Sequence, residues 1–165
     1  MEHQEKTAQR IFFLGALAWC TGIIAAPFLE SRGFHTLASI LYELYGKICH
    51  QHPDSSFYLW GQPLAVCIRC TAIYWSFGLG CSILLFISHL SLKRNSTPPL
   101  WILYSVAALM LADVLLSITH IHPSNTITRV ITGCSLGLTL SWYLLPIFTD
   151  AVAQQFFHKP QRIFQ

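Results

Sequence analysis

The sequence predicts an all-α, polytopic membrane protein of four transmembrane helices, with one further amphipathic helix at the membrane interface. Three observations carry that expectation. Charged residues make up only 10% of the chain, against roughly 25% in a typical soluble domain. The mean hydropathy is +0.50, so a water-facing surface cannot be assembled from these side chains and lipid must be the solvent. Four apolar stretches, about 11–29, 71–87, 100–118 and 130–148, are each long enough to cross a bilayer: at about 1.5 Å rise per residue, 18 residues cover about 27 Å, close to the hydrocarbon thickness.

The first stretch follows Lys6 and Arg10, as the core of a secretory signal would. Its apolar run exceeds the roughly 7–15 residues of such a core, so it is read as a retained span. The next apolar segment, about 34–48, has a different pattern. Phe34, Leu37, Leu41, Leu44, Tyr45 and Ile48 recur at helical spacing, with His35, Ser39, Glu43 and Lys47 between them. One apolar stripe on a polar helix belongs at a membrane surface. The whole chain is therefore a single membrane domain. Its formal charge of +3 is small and scattered, and without a basic run interleaved with aromatics it is not a nucleic-acid binder.

Orientation follows from Lys and Arg placement. Four spans put the N-terminus, the Ser88–Pro99 loop and the C-terminal tail on one side, with Lys6, Arg10, Lys93, Arg94, Lys159 and Arg162. Arg32, Lys47, Arg69 and Arg129 fall on the other side. The six-to-four split favours a cytoplasmic N-terminus in the cell (inner) membrane. The first and second outer loops then face outward.

On that topology the polar chemistry gathers in one layer. The first outer loop carries Cys49-His50-Gln51-His52-Pro53, and Cys67-Ile68-Arg69-Cys70 opens the second span. Asp113 lies about one and a half turns below the outer end of the third span. His120 and His122 stand in the second outer loop, and Arg129 starts the fourth span. Cys-x-x-Cys sets two sulfurs close enough to chelate an ion or to form a reversible disulfide. Cys49 adds a third sulfur, and His50 a fourth donor, with His52, His120 or His122 as other choices. Cys49, His50, Cys67 and Cys70 thus make a four-coordinate set of the kind that holds zinc. A structural disulfide is the plainer alternative in an oxidising compartment, but three sulfurs leave one unpaired.

Asp113 has two readings of equal weight, a structural ion pair with Arg69 or Arg129 and a direct chemical role. A carboxylate in an apolar span costs roughly 2.5–3.5 kcal/mol, and such residues pair or work. Cys20, Cys81 and Cys134 lie mid-span and read as packing residues. Gly133-x-x-x-Gly137 with Ser141, and Gly78-x-x-x-Ser82, read as close helix contacts. Such small-residue faces would also allow a homo-oligomer. Trp60, Trp101 and Trp142 fall near the expected interfaces.

Cys49-His50-Gln51-x-Pro53, Ser56-Phe57, Gly61 and Cys67-x-Arg69-Cys70-Thr71-x-Ile73-Tyr74 together resemble the signature of the domain-of-unknown-function 2085 family of small prokaryotic membrane proteins. Asp113 and Ser124-Asn125-x-x-x-Arg129-x-x-Thr132-Gly133 resemble its second block. The resemblance covers about 47–137 and departs from the family at Ser55, often Arg, and Ala72, usually Gly. It leaves the candidate metal donors intact.

Three functions compete. One is a zinc protein whose metal is structural, or activates a ligand for chemistry on a membrane or exported substrate, with Asp113 as base and Arg69 and Arg129 holding an anion. Another is a quinone-linked thiol–disulfide oxidoreductase. Such enzymes use two outer cysteine pairs, and the second outer loop here has no cysteine. The third is a small transporter or accessory subunit with Asp113 and Arg129 on a polar path. The topology is directly testable. In a background lacking Cys49, Cys67 and Cys70, an impermeant thiol reagent applied to intact cells should label Ser55→Cys and spare Asn95→Cys; the reverse result inverts the orientation.

Overall fold

The computed structural model describes residues 2–89, 98–119 and 125–156. Among these the chain is built from α1 (Glu2–Ser31), α2 (His35–Gly46), a short 3-10 turn (Pro53–Ser55), a two-stranded hairpin of β1 (Tyr58–Leu59) and β2 (Gln62–Pro63), then α3 (Ile68–His89), α4 (Leu100–Ile118) and α5 (Thr126–Phe156). Four helices carry apolar stretches long enough to cross a membrane: Gln9–Ser31, Ile68–Ile87, Leu100–Ile118 and Thr126–Phe148. The four expected spans are all present. The second and fourth begin three and four residues earlier than hydropathy indicated, because Arg69 and Arg129 lie inside their helices rather than ahead of them. Lys93, Arg94, His120, His122, Ser124, Lys159 and Arg162 lie outside the described residues.

α1 stops where glycine permits it. Gly33 adopts φ +84°, the Gly33 N–H donates to the Glu30 carbonyl, and the Phe34 N–H donates to the Leu29 carbonyl. This paired closure reverses the chain at a left-handed residue. α2 then doubles back along α1. Its Tyr45 ring meets the Trp19 ring edge-on at 4.8 Å, and the Tyr45 hydroxyl donates to the Trp19 carbonyl at 2.7 Å. Gly22 leaves the room this needs, since a Cβ there would collide with that hydroxyl.

The expected amphipathic helix is present, but its apolar residues divide between two faces. Ala38 and Tyr45 are buried and Leu41 and Tyr42 half-buried, whereas Phe34, Leu37, Ile40, Leu44 and Ile48 stay exposed. After α2 the chain crosses a tight two-residue turn. Trp60 at φ +52° and Gly61 at φ +78° join strands in the register Leu59↔Gln62, and two consecutive positive φ values match the strand twist. Trp60 packs edge-on against Phe28 at 5.4 Å.

The bundle is organised on the parallel pair α3 and α5. Along their seam a Cβ at Gly133 would lie 2.7 Å from the Arg69 carbonyl oxygen and 2.8 Å from Ala72 Cβ. One turn on, a Cβ at Gly137 would strike the Ile73 carbonyl and the Ser76 hydroxyl. Further along, the roles reverse, with Gly80 of α3 facing Ser141 of α5. Small residues let two backbones touch where lipid supplies no hydrophobic drive for association. The expected close contact at Gly133 and Gly137 is therefore found within the chain, whereas Gly78 meets nothing within 4 Å.

α1 packs on one side of this pair, with Phe12 against Phe77 and Phe148. α4 packs on α5, and Tyr143 of α5 donates to the Pro98 and Pro99 carbonyls at its start. No residue of α4 is buried. The seam yields a clear prediction. Gly137→Ala should lower thermal stability in detergent by roughly 1–3 kcal/mol through overpacking. Gly15→Ala, with nothing within 4 Å, should be neutral or gain up to about 1 kcal/mol from helix propensity. Equal responses in thermal melts followed by circular dichroism would contradict the seam.

Candidate metal centre

Two segments distant in sequence must meet to form the centre. The first leaves α2 through a tight turn in which the Ile48 and Cys49 N–H groups both donate to the Tyr45 carbonyl. This delivers Cys49 into an apolar cluster with Ile23, Ala26, Tyr45, Leu64, Ala65 and Val66, where it is buried. The second segment, Leu64–Val66, is buried and leads directly into α3. Cys67 stands just before the first helical residue, and both the N–H and the hydroxyl of Thr71 donate to its carbonyl, at 2.9 and 3.0 Å. Cys70 follows within the first turn, so both sulfurs reach the same end of α3.

The sulfurs of Cys49, Cys67 and Cys70 all lie within 4.8 Å of one another, and all are free thiols. The Cys67 N–H donates to Cys49 Sγ at 3.2 Å. Hydrogen bonds from the Cys67 and Cys70 thiols hold the Cys49 thiol well below the ordinary thiol range. Burial opposes the shift, and the backbone N–H groups of Cys67 and Gln51 add to it. Hydrogen bonds to the charged form favour that form. These hydrogen bonds favour the thiolate at Cys49, the form that binds metal.

The donor set fits a tetrahedral thiophilic ion. Zn–S bonds of about 2.3 Å put sulfurs about 3.8 Å apart, inside the 4.8 Å that bounds the spacing of the three. Cys20, Cys81 and Cys134 stay apart from this group: Cys20 and Cys81 are buried mid-span, and Cys20 Sγ lies 3.5 Å from the Tyr74 carbonyl oxygen.

The three sulfurs open onto a cleft of about 470 Å³. Its walls come from the segment after α2 (Ile48, His50, His52, Ser55), the start of α3 (Arg69), the end of α4 (Val114, Ser117, Ile118) and the start of α5 (Arg129). His50 and His52 therefore share the cleft with the sulfurs, but neither joins the tight donor group. Both are exposed, and His52 Nδ1 stands 4.0 Å from Asp54. His120 and His122 lie outside the described residues.

Asp113 is paired with Arg69. Its Oδ2 accepts from Arg69 Nη2 at 2.5 Å, with the side chains only 16% and 14% exposed for Arg69 and Asp113. Of the two arginines that could hold the carboxylate, it is the one between the cysteines. Sequence reasoning left one contributor without a role. Gln51 holds φ +46°, and its Nε2 donates to the Tyr42 and Ala65 carbonyls at 2.6 and 2.7 Å. Its place between the two histidines of the cysteine motif was the available signal.

A family model described as "Predicted membrane protein (DUF2085)" matches residues 49–143. The chain belongs to this family. The uncharacterized protein MJ1492 of Methanocaldococcus jannaschii is 33% identical over 151 residues, which cover 88% of this chain and 96% of that relative. No solved structure matches the chain. The DUF2085 match opens on Cys49 itself and takes in Cys67, Arg69, Cys70, Asp113 and Arg129, the residues that sit at the cleft or hold its walls.

The ion pair predicts an asymmetry between carboxylates. Asp113→Asn leaves a shielded guanidinium without its counter-charge and should cost on the order of 3 kcal/mol or less. Asp54→Asn, at a side chain 96% exposed, should cost nothing measurable. Arg69→Gln combined with Asp113→Asn should be milder than the sum of the two single changes. Additive losses in detergent melts would show that the pair is not coupled.

Proposed function

We propose that this membrane protein holds one metal ion, best fitted by zinc, on Cys49, Cys67 and Cys70, with a fourth coordination position turned toward the cleft. The observation that supports this most directly is the convergence of three sulfurs, from segments 18 residues apart, on one side of a cleft. Three protein ligands and one open position mark zinc sites that act on a ligand, whereas structural sites close with four. His50 and His52 stand at the cleft wall, where they can meet whatever enters. Three thiolates leave a zinc centre with one formal negative charge, and Arg129 on the same cleft offsets it. The ion, when bound, supplies a Lewis acid at the outer membrane surface. A polar cleft with apolar walls at Ile48, Val114 and Ile118 suits a membrane-derived or exported substrate. The distribution of Lys and Arg supports a cytoplasmic N-terminus.

Metal analysis with thiol titration on detergent-purified protein tests this reading. About one zinc per chain is expected, lost in Cys67→Ser and Cys70→Ser and weakened in Cys49→Ser. Cys81→Ser should retain it, and so should His50→Ala, because the imidazole is outside the donor group. A folded, metal-free protein with Cys67 and Cys70 in a reducible disulfide would reject the metal reading and support thiol–disulfide exchange instead. Zinc lost on His50→Ala would close the fourth position and make the centre structural.

A further inference from the structure

We infer that Gln51 is the positioning residue of this centre, a clamp that sets the Cys49 sulfur against the start of α3. The inference rests on the metal reading above for its function, but its geometry stands apart from any ion. The hydrogen bonds of the Gln51 side chain carry the inference. Its side-chain amide bridges two separate segments, donating to the Tyr42 carbonyl in α2 and to the Ala65 carbonyl two residues before Cys67. Two residues beyond Ala65, the Cys67 N–H donates to the Cys49 sulfur at 3.2 Å. Gln51 therefore ties the segment that brings Cys49 to the segment that brings Cys67 and Cys70, where the two segments meet at the sulfur.

The clamp is specific to a glutamine. Ala65 is fully buried, and a buried carbonyl needs a donor; a carboxylate of the same shape offers none. Asparagine is one methylene shorter than a side chain that spans both carbonyls. Gly46 makes the space, since a Cβ there would lie 3.3 Å from the amide oxygen of Gln51. The backbone holds φ +46°, a left-handed conformation that costs a non-glycine residue on the order of 1 kcal/mol. A glycine would adopt it freely. That glutamine stands there, at a conformation glycine prefers, points to the amide as the useful part.

The test uses the full chain in detergent, loaded with cobalt(II), whose thiolate charge-transfer absorbance reports the number of bound sulfurs. Gln51→Glu keeps size and removes the donor; Gln51→Gly keeps the backbone conformation and removes the clamp. Both should raise the cobalt dissociation constant by about 10–100-fold. Both should also lower the absorbance per bound ion toward that of Cys49→Ser, with helical content unchanged. Wild-type affinity and intensity in Gln51→Gly would overturn the proposal and leave only a backbone role.

A second measurement needs no metal. In the Cys67→Ser chain, mild oxidation should cross-link Cys49 to Cys70, and Gln51→Gly should slow this several-fold. If the wild-type chain takes no cobalt yet the cross-link slows, the metal reading fails and the clamp stands. If the cross-link rate is unchanged, the clamp fails whatever the metal does.

Discussion

Arg69 and Asp113 face each other across two membrane helices, and much of the structure depends on that pair. Either charge alone in an apolar span would oppose insertion by roughly 2.5–3.5 kcal/mol. Together they neutralise each other and connect α4 to α3, while the rest of α4 packs chiefly on α5. Arg69 does more than carry a charge. Its carbonyl lies where Gly133 lets α5 come closest, and its neighbours in sequence are the two cysteines of the motif. One residue thus joins three helices at the level of the sulfurs.

This arrangement explains why polar groups concentrate at one end of a chain that is otherwise oil-soluble. Metal ligands need deprotonated sulfur, and thiolates need donors and counter-charges. The Cys67 N–H supplies the first, and guanidinium groups at the cleft can supply the second. The apolar cluster around Ile23, Tyr45 and Val66 excludes water from behind Cys49. The centre has a dry back and a wet front.

The spans were legible in the sequence because hydropathy over some twenty residues is a strong, local signal. Cys49, Cys67, Cys70, Arg69, Asp113 and Arg129 were legible as a group because topology alone put them in one layer. What the sequence did not disclose depended on three-dimensional reach. The choice of Arg69 over Arg129 as the partner of Asp113 turns on helix rotation, which composition does not report. His50 lies outside the sulfur group and Gln51 takes a left-handed conformation, and nothing in Cys-His-Gln-His announces either. The hairpin at Trp60–Gly61 escaped notice because its strands are two residues long and only Gly61 hints at it. The two apolar faces of α2 were read as one because both repeat at helical spacing.

Consider last the unequal seating of the helices. α3 and α5 touch backbone to backbone from Arg69 to Ser76, so the two cannot part near the sulfurs without losing their tightest contact. α1 is tied through α2 to the segment that carries Cys49. α4 has no buried residue, yet Val114, Ser117 and Ile118 at its end form one whole wall of the cleft. α4 is the least enclosed of the four spans, and it closes one side of the cleft from the outside of the bundle. What this least-covered wall has in place of burial is one ion pair, Arg69 with Asp113, which fastens it to α3 beside the sulfurs.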